Sequence, residues 1–498
     1  METQANKNDS YISSMKIKPD HSHSSHLSPP QNLLYPSDQS KQLDPIASTL
    51  LSPCSKYTVS QLVDSAQILV STFVFSHWDN ILGPRVEQVW FNGEALLLDQ
   101  STLLQICKQG LAGELCRDLS SSITDWRIHT IPDKNVAAVV FVFSANGTNG
   151  LSLHSFTLII QLDQLEYFLH LSDLIYSWIS RMVGKLRVLL EKDSRNEALS
   201  VFTSYLCNFT EMLLSLSEAK LPTEVEVDDS ILCPSHSIEE DFLRTMISSH
   251  LMTFGRSVVI GKHIKQVNLV INTLALFNTP EERLCSRRVL DQTGKMWPYH
   301  HDLYLQGIVA EPGSKISHLM KDMLTSKYPS SIIDLNLQRV LQTPDHSSHE
   351  TYRQEMLKNE LICLHYDDNY ESYMKRKSFV TVTDCAESFV KTLRKELLQL
   401  PRISSGNLCG VWESHINNFL WLLQRKALCL IKYVEQETNR GSHPLNDGIH
   451  KLRQDLGLTL EADLRIVLAA ADKLKPGIYS LVISDGRRQP DHFGPFFD

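Results

Sequence analysis

The sequence predicts an α+β module followed by an α/β module with a central sheet and a helical C-terminal portion. A β-hairpin rich in β-branched and aromatic residues occupies residues 69–91, and the order of elements from there is ββαβββαα. In the middle of the chain, capped helices flank a short apolar strand, which is typical of a helix-covered sheet. From residue 384 onward the apolar spacing is mainly helical.

Length and composition describe an ordinary globular chain. Its 498 residues, of which 42% are hydrophobic and 21% charged, predict roughly three domains. A net charge of −9 argues against a nucleic-acid partner and against unaided binding to an anionic membrane. The 10 cysteines form no Cys-x-x-Cys pair, and the chain has neither a signal peptide nor an apolar span, so we expect a cytoplasmic protein with reduced thiols.

Residues 1–60 are rich in Ser, Pro, His and Asn and show little apolar periodicity, so we expect them to be disordered. His21, His23 and His26 have a spacing that metal ligands can adopt. A disordered segment, however, lacks the fixed geometry and outer-shell contacts of metal sites. We therefore expect no metal there.

The hairpin consists of strands predicted at residues 69–76 and 86–91. Asp79-Asn80 and Gly83-Pro84 supply the turn. The tip between the strands is unusually apolar, with Trp78, Ile81 and Leu82, so these side chains should bury against the chain's own core or against a partner.

The first module is expected to span residues 61–220. The hairpin is followed by a helix at 102–117, strands at 126–131, 136–144 and 151–162, and two amphipathic helices at 174–190 and 199–216. Residues 221–236 are acidic, carry a proline near each end, and are interpreted as a linker.

The central module is expected at residues 237–383. Ser237 and Glu240 form a predicted capping box for a helix that ends near Gly255, and a second box begins at Thr279. Strands are predicted at 257–260, 303–310 and 332–337, with a helix at 264–274 and a loop at 342–350. Residues 384–480 should be helical, with strong amphipathic helices at 419–437 and 460–473, exposed loops at 401–410 and 439–448, and a tail at 481–498.

The sequence shows no convincing self-contained active site. Residues 255–262 end in Gly-Lys, but five residues separate the glycines, His263 follows the lysine, and the strand lies inside the segment, so the pattern does not fit a phosphate-binding loop. Neither Gly-x-Ser-x-Gly nor His-Glu-x-x-His occurs. We expect no cofactor and no metal.

Residues 78–86, WDNILGPRV, resemble the first hairpin of the longin module that opens DENN-family proteins. Residues 247–251 (ISSHL), 257–259 (SVV), 279–283 (TPEER) and 285–287 (CSR) resemble the central DENN module. Residues 425–433 and 474–477 resemble its C-terminal portion. The resemblance covers roughly residues 61–480, and it implies a longin module at 61–220, a central DENN module at 237–383 and a downstream DENN module at 384–480.

The resemblance implies regulation of Rab- or Arf-type small GTPases in membrane trafficking and autophagy, most often as a guanine-nucleotide exchange factor. Close relatives pair with a second DENN-family protein, and a WD-repeat protein joins the assembly. Two alternatives stay open: a subunit of a GTPase-activating complex whose arginine finger lies on the partner, and a non-catalytic scaffold that recruits the partner. Either way, membrane contact would be indirect, through recruitment to endosomes, lysosomes or autophagosomes.

Two surfaces are candidates for these contacts. At the hairpin tip, Trp78, Asp79 and Arg85 are the predicted GTPase-binding residues, with Gly83 and Pro84 fixing the turn; the alternative is that Trp78 packs on its own module. The last amphipathic helix is predicted to bind the DENN partner, and the alternative is that it fills its own core. Its apolar stripe consists of Leu460, Leu464, Val467, Leu468 and Leu474.

Overall fold

A computed structural model describes residues 57–63, 68–93, 98–113, 124–147, 150–222, 224–232, 238–290, 296–310, 319, 322–366, 381–382, 389–399, 408–439, 448–458 and 460–483. The fold is mixed α/β, as the sequence predicts. The described residues all belong to one compact unit, residues 55–498. The histidine cluster and the C-terminal tail from residue 484 lie outside the described residues, and the module boundaries near residues 220 and 384 stay predictions.

The first sheet has six strands in the order β1-β3-β2-β6-β5-β4. Strand β1 pairs parallel with β3, and every other neighbouring pair is antiparallel. The predicted disorder up to residue 60 is wrong for its last residues, because β1 begins at Thr58 and hydrogen-bonds along the edge of the hairpin. The strands are β1 Thr58–Val63, β2 Val70–Asp79, β3 Gly83–Asn92, β4 Asp125–Ile131, β5 Val136–Gly147 and β6 Gly150–Gln161.

Helices cover both faces of this sheet. Successive residues of a strand point to opposite faces, so Phe73 and Phe75 pack against helices α3 (Ser172–Lys192) and α4 (Arg195–Glu218). A short helix, α2 (Leu165–His170), precedes α3 in the chain. Val74 faces the other way and packs with α1 (Gln100–Ala112). The helix predicted at 102–117 is α1, which ends earlier, at Ala112. Residues 114–117 lie outside the described residues.

The segment predicted to be a linker is built into the core. Leu221, Val225, Val227 and Ile231 are all buried in the cluster that also contains the second sheet. Valine and acidic residues alternate from Glu224 to Asp228, so the valines enter the core while the carboxylates stay exposed. The linker prediction rested on the acidic residues of this segment and did not take the alternation with valine into account.

The second sheet runs β11-β10-β9-β7-β8. Strand β7 is parallel to both of its neighbours, β8 and β9, and the pairs β9–β10 and β10–β11 are antiparallel. Its strands are β7 Ser257–Gly261, β8 Leu305–Val309, β9 Ser331–Asp334, β10 Arg339–Gln342 and β11 Thr381–Val382. Helices α5 (Glu240–Met252), α6 (Ile264–Ala275) and α7 (Pro280–Leu284) belong to the same part of the chain.

One predicted capping box is confirmed and one is wrong. Thr279 and Glu282 cap α7 reciprocally, as predicted. At α5 the N-cap is Glu239, which makes no side-chain cap hydrogen bond, and Glu240 is already the first helical residue. Ser237 lies outside the described residues.

The predicted loop at residues 342–350 is shorter than expected: only residues 343–345 connect β10, which ends at Gln342, to helix α8 (His346–Tyr366). The helix predicted at 419–437 belongs to a longer one, α10, that starts at Leu408, within the loop predicted at 401–410. The remaining described helices are α9 Phe389–Gln399, α10 Leu408–Asn439, α11 Gly448–Asp455, α12 Glu461–Leu474 and α13 Ile478–Ile483.

Helix α3 joins the first sheet to the second half of the chain. The Arg181 guanidinium donates through Nε and Nη2 to the Glu360 carboxylate of α8 at 2.9–3.1 Å, and Lys185 Nζ lies 2.7 Å from the same group. Trp178 stacks on His301 with ring centroids 3.7 Å apart. These contacts hold the two sheets in a defined arrangement.

Candidate functional site

The turn at the hairpin tip is fixed by one carboxylate and one glycine. Asp79 Oδ1 accepts hydrogen bonds from the backbone N–H groups of Ile81 and Leu82, at 2.8 and 3.0 Å. Gly83 follows with a φ of +80°, a conformation that glycine adopts without strain. Pro84 lies opposite Trp78 in the hairpin register. The predicted structural role of Gly83 and Pro84 therefore has a geometric basis.

The tip presents two large aliphatic side chains to solvent. Ile81 is 92% exposed and Leu82 is 62% exposed. Trp78, by contrast, is half-buried and packs against the cluster formed by the sheet and α1. The sequence leaves two alternatives for Trp78, contact with a GTPase or packing on its own module, and this packing favours the second. Because the turn cap aims the two aliphatic residues outward, they do not reach the chain's own core.

Asp79 is the turn cap in this structure, and its role in GTPase binding stays a prediction. The backbone donors of Leu82 and Ile81 hold the pKa of its carboxyl below the usual range, and the positive charge of Arg85 acts in the same direction. Arg85 is half-exposed and lies opposite His77 in the hairpin register.

The base of the hairpin is anchored to helix α4. The Glu87 carboxylate pairs with Arg195 of α4, and His77 Nδ1 lies 2.5 Å from the same carboxylate. Trp90 donates its indole N–H to Thr203 Oγ1, also on α4, at 2.9 Å. The two exposed tip residues therefore extend from a rigid support, and a rigid support limits the entropy lost when a partner binds.

The predicted partner-binding stripe on the last amphipathic helix is mostly core, which corrects that prediction. Leu464, Val467 and Leu468 of α12 are buried in the chain's own hydrophobic cluster. Only the two ends of the stripe, Leu460 and Leu474, are exposed. A helix stripe predicts burial without saying against what, and here α10 and α5 cover it.

A different apolar surface, which the sequence reasoning missed, lies on α10. Trp421, Leu422 and Leu428 are each about half exposed, and the Arg425 guanidinium lies 4.6 Å from the centroid of the Trp421 ring. We call these four residues the α10 stripe. The sequence indicates such a surface, because residues 419–437 contain more apolar side chains than a single buried helix face can hold.

The described residues contain no group of three or more His, Cys, Asp or Glu side chains that could hold a metal ion. In the segment that ends in Gly-Lys, strand β7 occupies residues 257–261, as predicted, and Gly255 has a φ of +74° at the end of α5. None of the helices described is long and apolar enough to cross a membrane.

Comparison with known proteins shows which proteins the chain is similar to. The C9orf72-like protein family matches residues 105–349. The chain is 29% identical over 464 residues to the guanine nucleotide exchange factor C9orf72 of Homo sapiens, covering 86% of this chain and 95% of that protein. The homologues of Mus musculus and Rattus norvegicus are each 28% identical over the same length.

Proposed function

Because the chain is similar to the C9orf72-like protein family over residues 105–349 and to relatives named as guanine nucleotide exchange factors, we propose that it belongs to this family and is a guanine-nucleotide exchange factor for a small GTPase of the Rab or Arf type. One observation carries the proposal: relatives named as exchange factors match almost end to end, over 95% of their length. An exchange factor needs a surface that distorts the nucleotide-binding switch regions of the GTPase. It needs no general base of its own.

The hairpin tip is the proposed GTPase contact, in a revised form. Ile81 and Leu82 provide the exposed apolar area. The positive charge of Arg85, on the adjoining strand, attracts an acidic switch surface of the GTPase. Trp78 supports the tip from below, and Asp79 holds its shape. A preorganised tip of this kind concentrates binding energy in few residues.

The α10 stripe favours a second candidate function, as a scaffold that binds and recruits a second DENN-family protein. Tryptophan and arginine are the residues most enriched at interface hot spots, and both stand exposed in this stripe. In this proposal the chain's longin and DENN modules form a heterodimer with the partner, a WD-repeat protein joins it, and the complex reaches endosomal, lysosomal or autophagic membranes through these proteins.

Nucleotide release separates the two functions. Rab and Arf proteins loaded with fluorescent GDP are mixed with the full chain, alone and co-purified with a DENN-family partner, in excess GTP. The exchange proposal predicts release faster than the intrinsic rate with the chain or the complex. Release at the intrinsic rate in every case, with a stable complex, would leave the scaffold as the function. A complex that accelerates GTP hydrolysis instead would favour the activating alternative.

A further inference from the structure

A second surface, separate from the hairpin tip and the α10 stripe, is a groove of about 1150 Å³. Its lining includes residues of the segment from Glu224 to Asp228 and of α10 from Glu413 to Gln424. Residues 276–283, which include most of α7, and the C-terminal half of α12 also belong to the lining. None of the residues of the α10 stripe line it.

The floor of the groove is apolar. Ile416, Leu423 and Ile466 are buried beneath it. Leu276 and Leu420 are half-buried, and Leu474 is 45% exposed. Leu474 is therefore the most exposed of these apolar side chains in the groove. Such a floor has area to bury against a partner's aliphatic side chains.

The rim of the groove is acidic. Glu224 and Glu226 are exposed, and Glu413 of α10 is half-exposed. The lining also contains two cations, Arg283 and Lys473, but both face carboxylates. Lys473 Nζ lies 2.6 Å from Glu282. Burial lowers the pKa of Arg283 although Glu281, Glu224 and Glu282 oppose the change. The net charge at the rim is therefore negative.

We infer that the groove binds a basic amphipathic segment of a partner protein. An apolar floor with an acidic rim complements a segment with leucine-like anchors on one face and lysine or arginine on the flanks. The volume exceeds that of ordinary small-molecule pockets, and the acidic rim repels nucleic acid. The inference is independent of the exchange activity, because no residue of the hairpin tip belongs to the groove.

A designed peptide tests the inference. The probe is a fluorescein-labelled amphipathic helix of about four turns, with leucine on one face and lysine on the other, titrated into the full chain. A peptide of the same pattern with glutamate for lysine tests the charge, and a scrambled leucine–lysine peptide tests the amphipathic pattern. The leucine–lysine peptide should bind, its affinity should fall as salt rises, and neither comparison peptide should bind comparably.

Two variants locate the binding. Glu224→Lys, Glu226→Lys and Glu413→Lys together should weaken the leucine–lysine peptide by at least about tenfold, because the rim then repels it. The matched control reverses three exposed acidic residues far from the groove in sequence: Asp133→Lys, Asp163→Lys and Glu166→Lys. This control gives the same change in net charge and should leave most of the affinity intact.

The floor is tested separately. Leu420→Ser with Leu474→Ser should weaken binding, whereas Leu151→Ser with Leu337→Ser, at exposed positions outside the groove, should not. Equal loss in the two charge-reversal variants would show attraction to net charge alone and overturn the inference. Unchanged binding in both groove variants, or equal binding of the glutamate or scrambled peptide, would also overturn it. Thermal midpoints of all variants are compared so that misfolding is recognised.

Discussion

Glu360 connects two parts of the chain that lie far apart in sequence, and its removal should destabilise the whole fold. Glu360→Ala removes a bidentate pair with Arg181 and a contact with Lys185. The side chains of Arg181 and Glu360 are only about a fifth exposed, at 21% and 23%. Two cations would therefore be left without their shared counter-charge in a partly desolvated site.

The magnitude lies between two limits. Breaking a fully buried pair costs about 3–5 kcal/mol, and exposed pairs contribute about 0–1 kcal/mol. We therefore expect about 2–3 kcal/mol for Glu360→Ala. Burial lowers the pKa of Lys185 in spite of Glu360, so we assign most of this energy to the Arg181 pair. A double-mutant cycle of Arg181→Ala with Glu360→Ala should give a coupling of about 1–2 kcal/mol.

Urea unfolding followed by tryptophan fluorescence measures this, since Trp178 stacks on His301 beside the pair. The control is Glu355→Ala, an exposed carboxylate on the same helix, which should change stability by less than about 0.5 kcal/mol. If Glu360→Ala behaves like this control, the pair does not hold the two sheets together.

The same carboxyl makes a pH prediction. Burial disfavours ionisation of Glu360, but Arg181 and Lys185 outweigh it, so the pKa lies below the usual 4.5. A lowered folded-state pKa gives stability that is present above pH 4.5 and is lost as the pH falls through the folded-state value. The difference between wild type and Glu360→Ala should therefore be constant near neutral pH and shrink in acid.

Three further predictions concern the core, the hairpin and the buried histidines. Leu468→Ala should cost about 2–5 kcal/mol of stability, because the residue is fully buried, whereas Leu474→Ser should change the unfolding midpoint little; equal effects would refute the core assignment of α12. Gly83→Ala should cost about 1 kcal/mol in urea unfolding because φ is +80°, and an unchanged midpoint would contradict the turn geometry. Burial lowers the pKa of His250 to about 3, below its ordinary 6.5, so the unfolded state binds more protons between these values and stability should fall as the pH drops below about 6.5; His250→Gln should flatten this slope, and an unchanged slope would show that His250 does not contribute.

Much of the first sheet could be predicted from the sequence because its strands are long and strongly patterned. Strands β5 and β6 run for 12 residues each, and their β-branched content leaves little ambiguity. Strand β1 was missed because it is short, lies at a sheet edge and follows a polar segment. Helix α8 was missed because no apolar stripe runs along it.

The sequence predicted the apolar character of the hairpin tip but not the direction of its side chains. The sequence indicated that the tip of the first hairpin is unusually apolar, and the structure puts Ile81 and Leu82 in solvent there. It did not show that Asp79 accepts from two backbone N–H groups, which decides the direction of both side chains. For α12 the apolar stripe was predicted correctly, but the structure packs most of it in the chain's own core and not against a partner. Amphipathicity does not distinguish a core from an interface.

The central proposal, that the hairpin tip acts on a small GTPase, is tested most directly by nucleotide release with Ile81→Ser and Leu82→Ser combined. Both residues are exposed, so the variant should fold and assemble like wild type. Interface hot spots contribute about 2 kcal/mol or more each, so exchange efficiency should fall by at least about tenfold. The control, Leu151→Ser, changes an exposed leucine elsewhere on the same sheet and should leave the rate unchanged. Exchange at the wild-type rate by the folded double variant would show that the tip is not the contact.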